Sequence, residues 1–314
     1  MTALPLHAPT GEARIRTVTG PAQLSALTGR VLSREHLRMD LRWPVRAESD
    51  PHRWLDEELH VAAELTALRK EHELGLVVDL TCLGMGRDAS ALARISAASR
   101  VAVVASTGYF ADPFHPVAMA DMDPEQIAER LIAEIGFGMD GTSVLPGVIG
   151  EVGVWGEIPT PGEDKALRGA ALAALETSLP IATYGRPGLA QLEVLLDMGV
   201  APERIAIGQQ ADGADPAVHR KIAELGAYVS FGDVAHSGDA SLRHALELIE
   251  AGHADRLLIG SGVTRQSHIA HYGGPGFGAV LTEFVPALRL CGVDDATLGL
   301  LTRENTLRWL SSRL

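Results

Sequence analysis

The sequence has few cysteines, few aromatic residues and no long apolar runs. Cys82 and Cys291 are the two cysteines among 314 residues, so a disulfide framework is excluded and both thiols are expected to be reduced. Aromatic residues make up only 4% of the chain, so the core must consist mainly of Leu, Val, Ile and Ala. No apolar stretch has the length of a signal peptide or of a transmembrane helix (about 18 residues), so we expect a cytoplasmic protein with no membrane partner.

Positive charge is also scarce. Lys and Arg together number 27 against 40 Asp and Glu, which gives a formal net charge of −13. A protein that binds nucleic acid needs a basic face, so this composition argues against a nucleic-acid partner. We expect a small molecule as the partner instead.

Short apolar runs rich in β-branched residues recur along the chain and are bounded by turn residues. Such runs are typical of strands that are buried on both faces of a parallel sheet. They span Arg30–Arg34, Gly75–Asp79, Val101–Ala105, Gly147–Gly150, Pro180–Thr183, Arg204–Gly208, Ala227–Phe231 and Arg256–Gly260.

Helical segments lie between these runs. Asp123 before Pro124, with Gln126 three positions after the cap, is a capping box that predicts a helix from Pro124 to about Ile135. A second capping sequence, in which Thr160 stands before Pro161, precedes a predicted helix over Lys165–Thr177. Further helices are predicted at Leu189–Met198, Pro216–Leu225 and Leu242–Ala251.

Strand and helix alternating eight times predict an α/β fold, a single (β/α)8 TIM barrel that forms one domain over residues 1–314. We expect a short β extension at the N-terminus, an insertion at about 41–74 that covers part of the barrel, and closing helices near Ala279–Cys291 and Asp295–Ser311. An open doubly wound sheet is the alternative. Gly84 and Gly86 follow the second strand, but no third glycine completes a dinucleotide-binding motif.

Barrel enzymes build their sites at the carboxyl ends of the strands. The strand ends here are rich in hydrogen-bonding groups but contain one histidine, whereas a binuclear zinc centre needs several converging His or carboxylate ligands. The residues at these ends are Arg34 with His36, Asp79 with Cys82, Ser106 with Thr107, Glu151, Tyr184, Gln209 with Gln210, Asp233, and Ser261 with Gly262.

A series of longer motifs runs along the chain. They are Thr17–Pro21 with Arg34–Leu37, Val77–Thr81 with Gly86–Asp88, Thr107–Phe110 with His115–Pro116, Gly147–Gly153, and Val263–His268 with Tyr272–Gly276. In this order they resemble the phosphotriesterase-related group of the amidohydrolase superfamily over nearly the full length of the chain. The resemblance implies a barrel that uses divalent metals to hydrolyse lactones, esters or phosphoesters. Because relatives of this fold are commonly dimers, a homodimer is also expected.

The metal-ligand positions that the resemblance implies are mostly altered. His36 and Glu151 match a histidine of the first strand and the bridging acid after the fourth. The remaining positions hold Arg34, Tyr184, Gln209 and Gly262 in place of His, His, His and Asp. An arginine is a permanent cation that repels a metal, and neither Tyr nor Gln is a usual replacement. We therefore expect a barrel that has lost its binuclear centre, with no metal and no other cofactor.

The remaining strand-end residues suggest a rebuilt site. We expect Glu151, His36 and Tyr184 to be catalytic. Glu151 would act as a base or as an anchor for a cationic substrate, His36 as an acid or base group, and Tyr184 as a hydrogen-bond donor to a carbonyl or oxyanion. Arg34 is expected to pair with Glu151 and replace the charge of the metal, and Arg265 to bind a carboxylate or phosphate. The expected substrate-binding residues are Arg34, Gln209, Arg265, Tyr109, Trp155 and Arg186.

Three functions stay open. The leading one is an enzyme that acts on a small polar or carboxylated molecule by metal-independent acid/base chemistry. The second is a non-catalytic binding protein that kept the fold. The third is a lactone, ester or phosphoester hydrolase with one metal on His36 and Glu151, for which two protein ligands are few.

Overall fold

Parallel strands with the expected sequences form the centre of the molecule. The structure, a computed structural model, describes residues 13–41, 54–208, 215–237 and 239–311. Two antiparallel hairpin strands, β1 and β2, precede the barrel, and β4 pairs with β5 at its rim. The strands are β1 (Arg14–Thr17), β2 (Gly20–Gln23), β3 (Arg30–Glu35), β4 (Met39–Asp40), β5 (Trp54–Leu55), β6 (Leu74–Asp79), β7 (Ala102–Val104), β8 (Ser106–Thr107), β9 (Val148–Gly153), β10 (Ile181–Tyr184), β11 (Ile205–Ile207), β12 (Tyr228–Phe231) and β13 (Leu257–Ile259).

The barrel strands lie side by side in chain order. One ladder runs β3–β6–β7 and the other β8–β9–β10–β11–β12–β13, and β7 continues into β8 after one residue. On the opposite side, the Ser33 hydroxyl donates to the carbonyl of Ile259 at 2.6 Å, and the Ser261 amide donates to Glu35 Oε1 at 2.6 Å. Side-chain hydrogen bonds therefore join the last strand to the first, and the expected eight-stranded barrel is confirmed.

The strand side chains divide between two apolar layers. In β6, Val77 packs towards the helices, whereas Leu76 and Val78 belong to a separate cluster inside the barrel. That inner cluster also includes Ile15 of the N-terminal hairpin and Trp309 near the C-terminus. The N-terminal hairpin and the helix that contains Trp309 therefore close the amino end of the barrel and leave its carboxyl end for the site.

The helices follow the strands with caps at the expected places. The side chain of Asp123 accepts a hydrogen bond from the Gln126 amide, and Thr160 accepts one from the Glu163 amide. The helix after Thr160 begins at Pro161 rather than at Lys165, because this capping box holds its first turn. The helices are α1 (Glu58–His72), α2 (Ala89–Ser99), α3 (Pro124–Phe137), α4 (Pro161–Thr177), α5 (Gly188–Asp197), α6 (Pro216–Glu224), α7 (Asp239–Glu250), α8 (Val285–Leu290), α9 (Asp295–Gly299) and α10 (Asn305–Leu310).

The segment interpreted as an insertion contains the first barrel helix. Helix α1 packs against β6 and α2, and its buried face consists of Val61, Ala62, Leu65 and Leu68. These residues have helical spacing, but Glu57 at the N-cap makes no side-chain capping bond, so the usual start signal is absent. Residues 42–53 of the same segment lie outside the described part. Within the described ranges, no helix has both the length and the hydropathy needed to cross a bilayer.

Candidate active site

A cavity of about 350 Å³ opens at the carboxyl ends of the barrel strands. The polar side chains around it come from β3, β9, β10 and the loops after β12 and β13. Because parallel strands end at the same edge, residues far apart in sequence meet there. The sequence-predicted residues that line this cavity are Arg34, His36, Glu151, Trp155, Tyr184 and Arg265.

A buried ion pair forms the floor of the cavity. Arg34 Nε donates to Glu151 Oε1 at 2.5 Å, and Arg34 Nη1 donates to the Gly232 carbonyl at 2.8 Å. The two side chains are 4% and 1% exposed, respectively. Burial raises the pKa of Glu151, and the adjacent guanidinium opposes that rise. Burial alone lowers the pKa of Arg34, but Glu151 outweighs this effect and the net shift is upward. Pairing therefore favours the charged forms that burial opposes.

Glycines make room for this arginine. A Cβ at Gly232 would lie 2.0 Å from Arg34 Cδ, and one at Gly260 would lie 2.2 Å from the Arg34 carbonyl oxygen. Neither contact is possible without a shift of the arginine or of its strand. The backbone at these two glycines therefore leaves the space that Arg34 needs, and its guanidinium forms part of the cavity floor.

His36 lies beside the same carboxylate. Its Nε2 is 3.7 Å from Glu151 Oε2, and its Nδ1 is 3.0 Å from the Thr81 hydroxyl. Burial, aided by the charge of Arg34, lowers the pKa of His36 well below its usual range. His36 is therefore neutral at physiological pH. Glu151 Oε2 is buried and receives no hydrogen bond from the described residues.

Three aromatic rings form one wall of the cavity. Tyr184 contacts Phe110 with ring centroids 5.0 Å apart and stacks beside Trp155 at 6.5 Å. The backbone of each aromatic residue is held by a neighbouring side chain. His115 lies 2.7 Å from the Phe110 carbonyl, and Glu163 accepts a hydrogen bond from the Trp155 amide at 2.7 Å. Gln191 donates to the Tyr184 carbonyl at 2.9 Å. Because these anchors fix the wall, an apolar part of a ligand would meet a surface that is already ordered.

The opposite side of the cavity is polar. Arg265 and Thr264 come from the loop after β13, and Asp233 and His236 come from the loop after β12. His236 Nδ1 is 3.4 Å from Asp233 Oδ1. The ring of His236 also packs on that of His268, with centroids 3.9 Å apart. An anion that contacts Arg265 would therefore have two imidazoles and a carboxylate as neighbours.

Other predicted residues lie elsewhere. Tyr109 is buried 6.4 Å from the His115 ring and does not line the cavity. Successive residues after a strand point to opposite sides, so Phe110 occupies the wall instead. Arg186 is 70% exposed and pairs with Glu157 at 3.4 Å, away from the cavity. Gln209 lies outside the described residues.

The sequence interpretation missed Phe110, His236 and His268 as cavity residues. His236 follows a strand-end aspartate by one turn, and this spacing was the available signal. Cys82, which the sequence places at a strand end, is fully buried. Its thiol donates to the Glu151 carbonyl at 3.2 Å, and burial raises its pKa well above the usual range.

A family model described as "Phosphotriesterase family" matches residues 13–310. The chain belongs to the phosphotriesterase family. It is 32% identical to the phosphotriesterase homology protein of Escherichia coli over 88% of this chain and 96% of that protein. It is 28% identical to the N-acetyltaurine hydrolase of Rattus norvegicus over 95% and 98%, respectively. The hydrolases among these relatives make the family a group of hydrolase-like barrels.

Solved structures of phosphotriesterase-family proteins superpose on the whole barrel. The E. coli protein, crystallised with phosphate in its active site, has a TM-score of 0.86 and 30% identity, covering 91% of this chain and 99% of its own. A resiniferatoxin-binding protein from Rhodobacter sphaeroides has a TM-score of 0.88 and 29% identity, covering 98% and 97%. The similarity therefore extends to the strands that carry the cavity.

The residues described here do not fit the binuclear metal centre that the phosphotriesterase resemblance implies. Arg34 directs its guanidinium against Glu151, where a cation held by that carboxylate would have to lie. Gly262 has no side chain to offer, and Tyr184 stands where the resemblance implies histidine. Among the described residues, no group of three or more His, Cys, Asp or Glu side chains is arranged to hold a metal. The chemistry of this donor set thus differs from that of the metal-dependent pattern.

Proposed function

We propose that this chain is a hydrolase that cleaves an ester, lactone or amide bond in a small anionic molecule by metal-independent acid/base chemistry. Its phosphotriesterase-family relatives include hydrolases, and the cavity volume suits a small molecule. The observation that carries the proposal is the buried Arg34–Glu151 pair at the carboxyl ends of the strands.

In this proposal Arg34 supplies the positive charge that a metal would supply. Two of its nitrogens, Nε and Nη1, donate to Glu151 and to the Gly232 carbonyl, and Nη2 is the nitrogen that we assign to the substrate. An Nη2 hydrogen directed at a developing oxyanion would stabilise it without reorganisation, because the guanidinium is already fixed. Tyr184, on the rim beside it, is the second donor.

Glu151 is the proposed base. Its Oε1 accepts a hydrogen bond from Arg34, whereas Oε2 accepts none from the described residues, and we assign Oε2 to the attacking water beside His36. Burial raises the pKa of this carboxyl, which makes it a stronger proton acceptor than a surface carboxylate. The neutral His36, held by Thr81, orients the same water by a hydrogen bond.

The substrate is expected to have an anionic end and an apolar part. Arg265 faces the cavity opposite the wall of Phe110, Trp155 and Tyr184, so a carboxylate, sulfonate or phosphate would bind the arginine while carbon atoms pack on the rings. Two relatives support this class. One is named as a hydrolase of N-acetyltaurine, an amide with an anionic group, and the other holds phosphate in its active site.

The test combines metal analysis with activity. Purified protein is dialysed against chelator and assayed on N-acetyltaurine, N-acetylglycine, a γ-lactone and a phosphotriester, while elemental analysis reports zinc, manganese and iron. We expect substoichiometric metal and chelator-resistant hydrolysis of at least one acyl compound. Stoichiometric metal, or activity that is lost on chelation and returns with metal, would refute the metal-independent mechanism and favour the mononuclear alternative on His36 and Glu151.

Arginine variants provide the matched control. Arg34→Met should lower kcat/KM by about 100-fold or more, because a preorganised donor is lost. Arg38→Met should leave it unchanged, since Arg38 is 27% exposed, lies 3.6 Å from Asp88 and is absent from the cavity wall. Equal activity of both variants would contradict the role of Arg34.

A second candidate, a binding protein without catalysis, is favoured by one comparison. The R. sphaeroides structure is described as a resiniferatoxin-binding protein. A chain that bound the probes tightly and hydrolysed none of them would support this alternative.

A further inference from the structure

Three imidazoles line the cavity, and their surroundings differ. His36 is 1% exposed and is neutral because burial depresses its pKa. His268 has its Nδ1 within 3.4 Å of the Thr264 amide and 3.3 Å of the Gly262 carbonyl, so the loop backbone holds it. His236 is 26% exposed and has a carboxylate beside it. Of these three, His236 combines access to the cavity with a neighbour that stabilises its protonated form.

A tight turn brings Asp233 and His236 together. The Asp233 carbonyl accepts hydrogen bonds from the His236 amide at 3.1 Å and from the Ser237 amide at 3.0 Å. The Ser237 hydroxyl donates to the same carbonyl at 2.7 Å. The turn places both side chains on its cavity side, with Nδ1 and Oδ1 3.4 Å apart. The imidazole of His236 therefore lies beside the carboxylate of Asp233, and both side chains line the cavity.

The loop after β13 leaves space for this pair. Gly262 has φ +88, and a Cβ there would lie 2.3 Å from Asp233 Oδ1. Gly262 occupies the position at which the phosphotriesterase resemblance implies an aspartate. The carboxylate of Asp233 therefore fills space that a side chain at Gly262 would need, and the acid at this edge of the cavity comes from the neighbouring strand.

Several charged groups surround the imidazole from the packed elements. Asp233 stabilises the imidazolium, and Glu151 on the cavity floor acts in the same direction. Arg34, Arg265 and a protonated His268 oppose it.

We propose that His236, oriented by Asp233, is the catalytic acid that protonates the leaving group; this role rests on the hydrolysis proposed above. As water attacks the carbonyl carbon, a C–O bond forms and Glu151 Oε2 takes one proton from the water. The tetrahedral intermediate expels the leaving oxygen or nitrogen, which receives the proton of the His236 imidazolium as its bond to carbon breaks. The proton on Glu151 returns to His236 through solvent, so the net reaction adds one water across the bond.

The test uses leaving groups that need an acid to different extents. Succinate monoesters of ethanol, phenol and 4-nitrophenol, which carry an anionic end, are assayed together with N-acetyltaurine. The enzymes compared are wild type, His236→Gln and the control His271→Gln. General acid catalysis contributes about 100-fold or more where the leaving group is a poor one. We expect His236→Gln to lose about that factor on the ethyl ester and the amide, and less than about tenfold on the 4-nitrophenyl ester, which leaves as a stable anion.

The pH profile tests His236 as the acid, and the split between kcat and KM tests Asp233 as a positioning residue. A required acid makes kcat/KM fall as pH rises, so wild type should show an alkaline limb that His236→Gln abolishes. Asp233→Asn should lower kcat on the ethyl ester with little change in KM, because the imidazole loses the carboxylate beside it, while added imidazole should partly restore His236→Gln.

The outcomes separate the two proposals. Wild type that hydrolyses none of the probes would overturn the proposed function and this role with it. An active wild type in which His236→Gln loses the same factor on every ester, or keeps its alkaline limb, would overturn the role of His236 and leave the hydrolase intact. A loss of the same size in His271→Gln, a histidine outside the cavity wall, would also overturn it.

Discussion

Removal of Arg34 should show how much a buried and unpaired Glu151 carboxylate lowers the free energy of unfolding. In Arg34→Met, Glu151 stays in the barrel mouth without the guanidinium that lies 2.5 Å from it in the wild type. Breaking a buried ion pair by removing one partner costs about 3–5 kcal/mol, because the remaining charge is uncompensated. The variant should therefore lose about that much free energy of unfolding at pH 8.

The loss should depend on pH in a defined direction. Burial already raises the pKa of Glu151 above its unfolded value, and removal of Arg34 removes the charge that opposed the rise. A group with a raised folded pKa contributes stability that is fully present below its unfolded pKa and is lost as pH rises through the folded pKa. The deficit of Arg34→Met should consequently shrink as pH falls, because protonation of Glu151 removes its charge.

Denaturant unfolding at pH 5 and pH 8 measures both quantities. Arg34→Met/Glu151→Gln removes both charges and should recover at least about 2 kcal/mol of the loss at pH 8, since the buried carboxylate is gone. Arg38→Met, at an exposed pair, should change stability by less than about 1 kcal/mol. A deficit of equal size at both pH values, or no recovery in the double variant, would refute the reasoning that Glu151 is the source of the cost.

Three further predictions follow from local contacts. Gly232→Ala should lower activity and destabilise the fold by about 1–3 kcal/mol, because the new Cβ would lie 2.0 Å from the side chain of Arg34. The control Gly136→Ala, at a helical site where a Cβ would meet no heavy atom within 4 Å, should be neutral or stabilising, and equal melting temperatures for the two variants would contradict this prediction. Burial raises the pKa of Glu35 to about 8, so the stability of the protein should fall as pH rises from about 5 through 8. Glu35→Gln should flatten that fall in thermal melts, and an unchanged pH profile of this variant would exclude Glu35 as the source. A thiol reagent should titrate the exposed Cys291 in the native protein and the buried Cys82 only after denaturation, and rapid modification of both would contradict the burial of Cys82.

The barrel was predictable because its signals are local. Runs such as Leu74–Asp79 are apolar on both faces, and caps such as Asp123 and Thr160 act on residues three positions away. Each signal involves neighbours in sequence, so no knowledge of distant contacts is needed. Helix α1 was missed for the same reason, since its N-cap makes no side-chain bond that would mark its start.

The position of the site was also predictable, but only in part. Arg34, Glu151 and Tyr184 end barrel strands, and parallel strands bring their ends to one edge. The altered ligand positions further predicted that the donor set differs from a binuclear centre. Which residue after a strand faces the cavity depends on the direction of the chain as it leaves the strand, so Phe110 lines the wall and Tyr109 does not.

Other features were decided by the tertiary structure. The 2.5 Å contact between Arg34 and Glu151 depends on Gly232, a residue distant in sequence that follows β12 and provides space for the guanidinium. The neutrality of His36 arises from burial and a neighbouring charge, and the Asp233–His236 pair needs the space left by Gly262. Sequence patterns determined which elements form and where their ends meet. Packing between distant residues determined which groups are charged, which are open to a ligand, and thus what chemistry the barrel mouth can perform.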